Sequence, residues 1–282
     1  MAIFICSGNK GKIEEFKHAF ASESEVYGLN DLGVQNGIQN KFIEPIENSN
    51  YFICNASIKL FSALKFLIEN NTPRNINMVV VDDSGLCVPE LNFLPGVHSA
   101  HFAGIPKNDN NNNLLLQKKI NENTTSNSRK NVQESAQEKR LKAFFVCFLL
   151  SVRIHNHNEF EFIKEINFSE ATCLIEKNIA QIEKKLLNKV DLNSTGGAFH
   201  EKIEASLICK EFSTDVFIDI NYGFCCGEVS TKAQNNIPNA GHGYDPIFYP
   251  LSDPGRSFAS IPLSEKNKIS HRARAMQLLG GL

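Results

Sequence analysis

The stretch NMVVVDDSG, residues 77–85, runs an apolar segment, Met78–Val81, straight into two adjacent carboxylates. A short apolar run of this kind reads as a buried strand, and α/β sheets hold their ligands where such strands end. In an extended chain successive side chains point to opposite faces, so only one of Asp82 and Asp83 faces a given cleft. One or two carboxylates plus substrate phosphate oxygens is the usual magnesium arrangement. Asp, Ser and Gly also favour turns for backbone reasons. Taken alone, the stretch fits a metal site and a plain turn equally.

Working outward, residues 2–6 read as a first buried strand, and Ile13, Phe16, Ala19 and Phe20 recur at helical spacing. Gly11 sits just before that helix. A second helix is expected over 52–69, and KAFFVCFLLSV (142–152) reads as a central strand buried on both faces. DVFIDINYGFCCGEV (215–229) resumes strand-like alternation. SEKNKISHRARAMQLL (264–279) closes the chain as one helix, with Ser264 at its N-cap and Ile269, Ala273, Met276 and Leu279 inward. This order predicts an α/β protein with a mixed sheet. Residues 1–282 are expected to form one domain carrying two polar insertions, at about 106–140 and 155–213. The first contains the low-complexity NDNNNN at 108–113, followed by a short helix around Leu114–Ile120. The second is expected to be partly ordered at best, with LNSTGG (192–197) as a flexible loop.

Composition narrows the function classes. A net charge of −2 gives no global field for nucleic acid or membrane, and no basic stripe is interleaved with aromatics. No apolar run reaches the roughly 20 residues of a membrane span. MAIFIC lacks the basic leader of a signal peptide. The eight cysteines lie mostly in apolar runs and include no C-x-x-C, which predicts buried, reduced thiols in the cytosol.

Three further segments carry chemistry-bearing residues. ICSGNKGKIEEF (5–16) sets Gly8, Gly11 and two lysines between a strand and a helix. It is not a Walker loop, because Gly8 and Gly11 are too close and Ile13 follows Lys12. Backbone N–H groups at a helix start still suit an anion, so a phosphate cradle and a tight turn both stay open. GHGYDPIFYP (241–250) offers Tyr244 as a stacking platform for a base or as a core residue. SEKNKISHRAR groups Lys266, Lys268, His271, Arg272 and Arg274 on one helix, either as a solvated face or as a cluster converging on phosphates.

Taken together, the segments resemble the inosine triphosphate pyrophosphatase family of non-standard purine nucleoside triphosphate pyrophosphatases. The resemblance rests on SGNKGKIEEF (7–16), IENSNYFICNASIKL (46–60), VDDSGLCVPELNFLPGVHSAHFAG (81–104), GHGYDPIFYP and SFASIPLSEKNKISHRARAMQLL (257–279), in the family's order. It implies an elongated mixed sheet flanked by helices, two lobes around an active-site cleft, and a cytoplasmic homodimer. It also implies Mg²⁺-dependent cleavage of ITP, dITP and XTP to the monophosphate and pyrophosphate.

By the same resemblance Ser7, Gly8, Asn9, Lys10, Gly11 and Lys12 hold the triphosphate, with Asn9 orienting phosphates and Lys12 also catalytic. Asp83 is the catalytic, metal-holding carboxylate, and Glu47 a second acid at the metal. Lys59, Ser84 and Lys266 contact substrate. His242, Gly243, Tyr244, Asp245, His271 and Arg272 also bind substrate, with Tyr244 or His242 stacking on the base and Arg272, beside His271, bonding its 6-oxo group. The sequence departs from the family at His242, His101 and Cys54, where Phe, Arg and Glu are usual. Two rivals accompany this reading: a related pyrophosphatase with another base preference, and a nucleotide-binding protein without turnover.

Overall fold

The computed structural model describes residues 2–20, 24–35, 42–70, 76–127, 138–155, 163, 168–207, 216–232 and 242–279. In chain order the elements are β1 (Ala2–Ile5), α1 (Lys10–Phe20), β2 (Glu25–Gly28), α2 (Leu29–Gln35), α3 (Phe52–Glu69), β3 (Ile76–Cys87), α4 (Asp109–Asn127), β4 (Arg140–Arg153), α5 (Phe168–Leu187), β5 (Gly196–Glu204), β6 (Phe217–Ser230), β7 (Phe248–Pro250), α6 (Leu263–Ile269) and α7 (His271–Leu279). The strands form one seven-stranded sheet in the order β2-β1-β3-β4-β6-β5, with β7 also on β6. β1 is parallel to β2 and β3, and all other pairings are antiparallel. The expected α/β class with a mixed sheet is what the chain adopts.

Helices cover both faces. One face packs Ile3, Ile5, Met78, Val80, Cys147 and Leu149 against Phe16 and Phe20 of α1 and Met276 and Leu279 of α7. The opposite face carries the largest core, in which α3 lies between the sheet and α5. Of α3's 18 residues only Lys59, Ser62, Lys65 and Glu69 are not buried, so the helix is apolar nearly all round, as an enclosed helix must be. A third cluster, with Leu86, Leu116, Ile120, Phe145, Tyr244, Phe248 and Phe258, lies farther along β3, β4 and β6. On the α1/α7 side of β3, apolar Val80 belongs to one cluster and Leu86 to another, and the polar Asp82 and Ser84 stand between them. This gap in the apolar face is where the cleft opens.

Several expectations are corrected. β3 runs for 12 residues, so Asp82 and Asp83 lie inside it, paired with Leu149 and Phe148 of β4, rather than at its end or in a turn. What ends there is β1, whose last partner on β3 is Val80. α1 begins at Lys10, so Gly11 is in its first turn. The closing segment is two helices, because Ser270 is extended (φ −69°, ψ 155°) and its Oγ accepts the Ala273 N–H at 3.2 Å. Pro262, not Ser264, flanks the start of α6.

Much of 155–213 is also ordered. α5 packs on α3, and β5 pairs with β6 from Gly196↔Cys225 to Glu204↔Phe217. The low-complexity run at 108–113 starts α4, which continues through the expected short helix, with Asn108 Oδ1 accepting the Asn111 N–H at 2.9 Å. The described cysteines 6, 54, 87, 147, 225 and 226 are buried and form no disulfide, as expected. The side chains of Cys173 and Cys209 lie outside the described residues. No described helix is long and apolar enough to cross a membrane.

Candidate active site

Alternation along β3 sends the paired carboxylates to opposite faces. Asp82 lies on the cleft side of the strand, buried behind the cleft-lining Lys12, Ser84 and Arg272; Lys12 Nζ donates to both of its oxygens at 3.0 and 2.8 Å and Ser84 Oγ donates at 2.9 Å. Arg272 approaches it at 3.5 Å. Burial alone would raise this carboxyl, but Lys12, Arg272 and Lys59 outweigh it and hold Asp82 well below the usual carboxylate range. Lys59 Nζ also donates to the backbone carbonyl of Asp82 at 3.0 Å.

Asp83 faces the α3 side. Its Oδ1 accepts the Ser84 N–H at 3.0 Å, whereas its buried Oδ2 has no hydrogen-bond partner. Burial raises the Asp83 carboxyl to about 7, aided by the negative charges of Glu47 and Asp82 and opposed by Lys59 and Lys12. Glu47 pairs with Lys59 at 3.1 Å. Burial disfavours the Lys59 ammonium, yet Asp83, Glu47 and Asp82 outweigh that and keep it charged above its ordinary range. A carboxylate oxygen left unpaired beside a second acid is the expected donor set for a hard cation that takes its other ligands from substrate and water. Among the described residues no group of three or more His, Cys, Asp or Glu could hold a metal ion by itself.

The cleft itself, about 210 Å³, is lined by Asn9, Gly11, Lys12, Ser84, His242, Gly243, Tyr244, Asp245, Lys266, His271 and Arg272 of the sequence-predicted set. Ser7 and Gly8, on the loop before α1, and Lys10, its first residue, lie outside that lining, and Asp83, Glu47 and Lys59 gather on the other face of β3. Lys268 and Arg274 stay out of the cleft, Arg274 donating to the carbonyls of Ile269 and Thr195. Asn9 caps α1: its Oδ1 accepts the Lys12 N–H at 3.2 Å. The N–H groups of Lys10 and Gly11, earlier in that turn, have no intrahelical partner by helix geometry.

Backbone contact fixes the cationic wall. α7 lies directly on β6 at Gly223, where an added Cβ would collide with the His271 carbonyl and the Ala275 N–H. The Ser270 break then aims two successive residues inward. His271 stacks on Phe145 (centroids 4.9 Å apart, planes at 12°). Burial, with Arg272 and Lys266 close by, holds its imidazole well below its ordinary value and therefore neutral. Arg272 pairs with Glu15 at 2.7 Å; burial opposes its charge, but Glu15 and Asp82 keep the guanidinium ionised.

The facing turn is held just as firmly. Asp245 accepts Lys266 at 2.6 Å and the His242 N–H at 3.0 Å. Gly243, at φ +62°, donates to Asp109 at 2.8 Å and accepts from Asn113 at 3.0 Å. Tyr244 is 3% exposed and its hydroxyl donates to the Ser99 carbonyl at 2.9 Å, so the ring is chiefly a core anchor at the cleft wall. Sequence reading missed Asp82, Glu15, Asp109 and Asn113 as site residues. Glu15 gave no local signal, because its partner Arg272 lies 257 residues along the chain. Asp109 and Asn113 were hidden inside a run that looked like low complexity.

The model of the Ham1 family matches residues 3–167 and 169–281, nearly the whole chain. The chain belongs to the Ham1 family. Relatives of this Ham1-family chain include the dITP/XTP pyrophosphatases of Acinetobacter baylyi, 28% identical over 98% of this chain and 90% of the relative, and of Legionella pneumophila, 28% identical over 99% and 97%. Solved structures with the same fold include a HAM1 protein from Coxiella burnetii (TM-score 0.58, 21% identity) and the Staphylococcus aureus Ham1 protein (TM-score 0.56, 23% identity), each covering 100% of this chain and 97% of its own. The family resemblance read from the five segments therefore holds.

Proposed function

We propose that this Ham1-family chain hydrolyses the α–β anhydride of ITP, dITP and XTP, releasing the monophosphate and pyrophosphate and so clearing deaminated purines from the nucleotide pool. The observation that carries the reading is the division of labour on β3: a carboxylate saturated by cations on the cleft side, and one with an orphaned oxygen beside Glu47 on the other. Full-length relatives named dITP/XTP pyrophosphatase support it.

Asp83 and Glu47 would hold Mg²⁺, which supplies neutralisation of phosphate charge when bound. Asp83, as the carboxylate, orients the attacking water and accepts its proton. Lys12, Lys59 and Lys266 stabilise the negative oxygens that develop as the anhydride breaks. The open amides of Lys10 and Gly11, with Ser7 and Gly8 leading into them, receive the triphosphate. Arg272 and neutral His271 face the base, donating to the 6-oxo acceptor that replaces adenine's 6-amino donor; a mismatched buried polar pair costs about 1–3 kcal/mol. With Tyr244 buried, stacking on the base falls to the imidazole of His242 in this reading. The reading extends to a cytoplasmic homodimer formed by one domain per chain, which sedimentation of the purified chain tests.

The deciding assay is pyrophosphate release from ITP, XTP, ATP and GTP, with Mg²⁺ and with chelator. Mg²⁺-dependent release favouring ITP and XTP is expected. Tight ITP binding with no release would replace the enzyme reading with a nucleotide-binding one.

A further inference from the structure

α3 begins without a cap of its own: Tyr51, the residue ahead of it, makes no side-chain capping bond. The missing acceptor comes from far along the chain. Glu183 of α5, 3% exposed, accepts the Ile53 N–H at 2.8 Å and also takes the Phe52 N–H. One turn-and-loop upstream, Ser49 Oγ donates to Glu176 of the same helix at 2.6 Å and accepts the Tyr51 N–H at 3.1 Å. Asn55 closes the arrangement, accepting the Ser49 N–H at 3.0 Å and donating to the Ser49 carbonyl at 3.2 Å. This knot holds the segment that lies between Glu47 and Lys59, which pair with each other at 3.1 Å.

We propose that Glu183, seconded by Glu176, is a positioning residue for the acidic half of the active site: α5 fastens residues 49–55 and thereby sets where Glu47 and Lys59 stand relative to Asp83. A carboxylate at a helix N-terminus is favoured by the exposed amides and the helix dipole. Here it acts at the start of the helix that delivers Lys59, and partners of this outer kind tune metal affinity by about 10–100-fold. The inference rests on the proposed Mg²⁺-dependent activity, and it assigns a functional part to a stretch whose sequence reads as an insertion.

The test is a Mg²⁺ titration of pyrophosphate release from ITP by Glu183→Ala, Glu183→Gln and Glu176→Ala, paired with hydrogen exchange of the 49–55 amides in chelator. Glu183→Ala is expected to need about tenfold more Mg²⁺ for half-maximal rate, with kcat at saturating Mg²⁺ within about twofold of wild type and faster exchange confined to 49–55. Glu183→Gln keeps an acceptor oxygen and restores most of the affinity. Glu176→Ala, at a half-buried position, gives a smaller shift in the same direction and serves if Glu183→Ala does not fold. Unchanged Mg²⁺ dependence in folded Glu183→Ala and Glu176→Ala overturns the proposal, as does equal impairment of the Gln and Ala variants of Glu183. Absence of release by the wild type defeats the enzyme reading instead. The exchange arm then still decides whether α5 holds the segment, and unaltered exchange at 49–55 overturns it.

Discussion

Asp82 and Asp83 are neighbours in one strand, yet the two faces of β3 treat them in opposite ways. Asp82 meets Lys12, Ser84 and Arg272 and is held ionised. Asp83 keeps one buried oxygen without a partner and is raised to about 7 by burial and neighbouring acids. The difference is one of partners, since both are Asp and both lose water. A carboxylate satisfied within the chain serves architecture, holding the cations of α1 and α7 in place. One left unsatisfied is available for a ligand that the chain does not itself supply.

The sharpest way to break this contrast is to neutralise each member. Asp83→Asn is expected to lower ITP turnover by about 10³-fold while leaving the chain folded; near-normal turnover would take Asp83 out of the site. Asp82→Asn is expected to act on the fold as well as on activity, costing about 3 kcal/mol in urea unfolding, because Lys12 and Arg272 lose a buried counter-charge. An unchanged midpoint would show that Asp82 is no structural hub.

Stability against pH gives a subtler separation. Folded Asp83 keeps its proton to about pH 7, whereas an unfolded Asp releases it near about pH 4. The folded state thus binds more protons across that window, and stability falls as pH rises through it. Glu183 is also raised to about 7, by burial and the Asp83 charge against the N–H groups of Ile53 and Phe52, so it contributes a slope of the same sign. The difference between wild type and Asp83→Asn, read as urea midpoints in chelator at about pH 5 and pH 8, isolates the Asp83 part. Asp82 works in reverse: its folded value is depressed, so its stabilisation is present above the unfolded value and is lost as pH falls. The smallest effect is expected from Tyr244→Phe, which removes the hydroxyl bond to Ser99 but keeps the ring; about 1 kcal/mol of stability and a modest rise in the KM for ITP would follow.

Legibility in the sequence followed how local each determinant is. The limits of α3 were readable because its apolar residues recur on nearly every face over 18 positions. β4 was readable because a continuous apolar run fits a strand covered on both sides. That Asp82 and Asp83 face apart needed only the period of an extended chain. α5 and β5 were not readable. Their polar residues look like linker until Ile179, Glu183 and Leu186 are seen against α3 and β6 receives β5 as a partner. The break at Ser270 escaped for a related reason: a Ser inside a helical pattern caps a new helix only when the packing turns the chain there.

The sequence by itself therefore determined the α/β class, the mixed sheet, the main helices and strands, and the residue types that could bind a triphosphate. Each depends on periodicity or on motifs only a few residues long. The tertiary structure decided which carboxylate is satisfied and which is left open, that His271 is neutral while Arg272 is pinned to Glu15, and that Tyr244 anchors the core. It also decided that helix α5 caps α3 from more than a hundred residues away. These outcomes depend on charge, burial and hydrogen bonds between residues distant in the chain, and no local pattern encodes the distances over which such forces act.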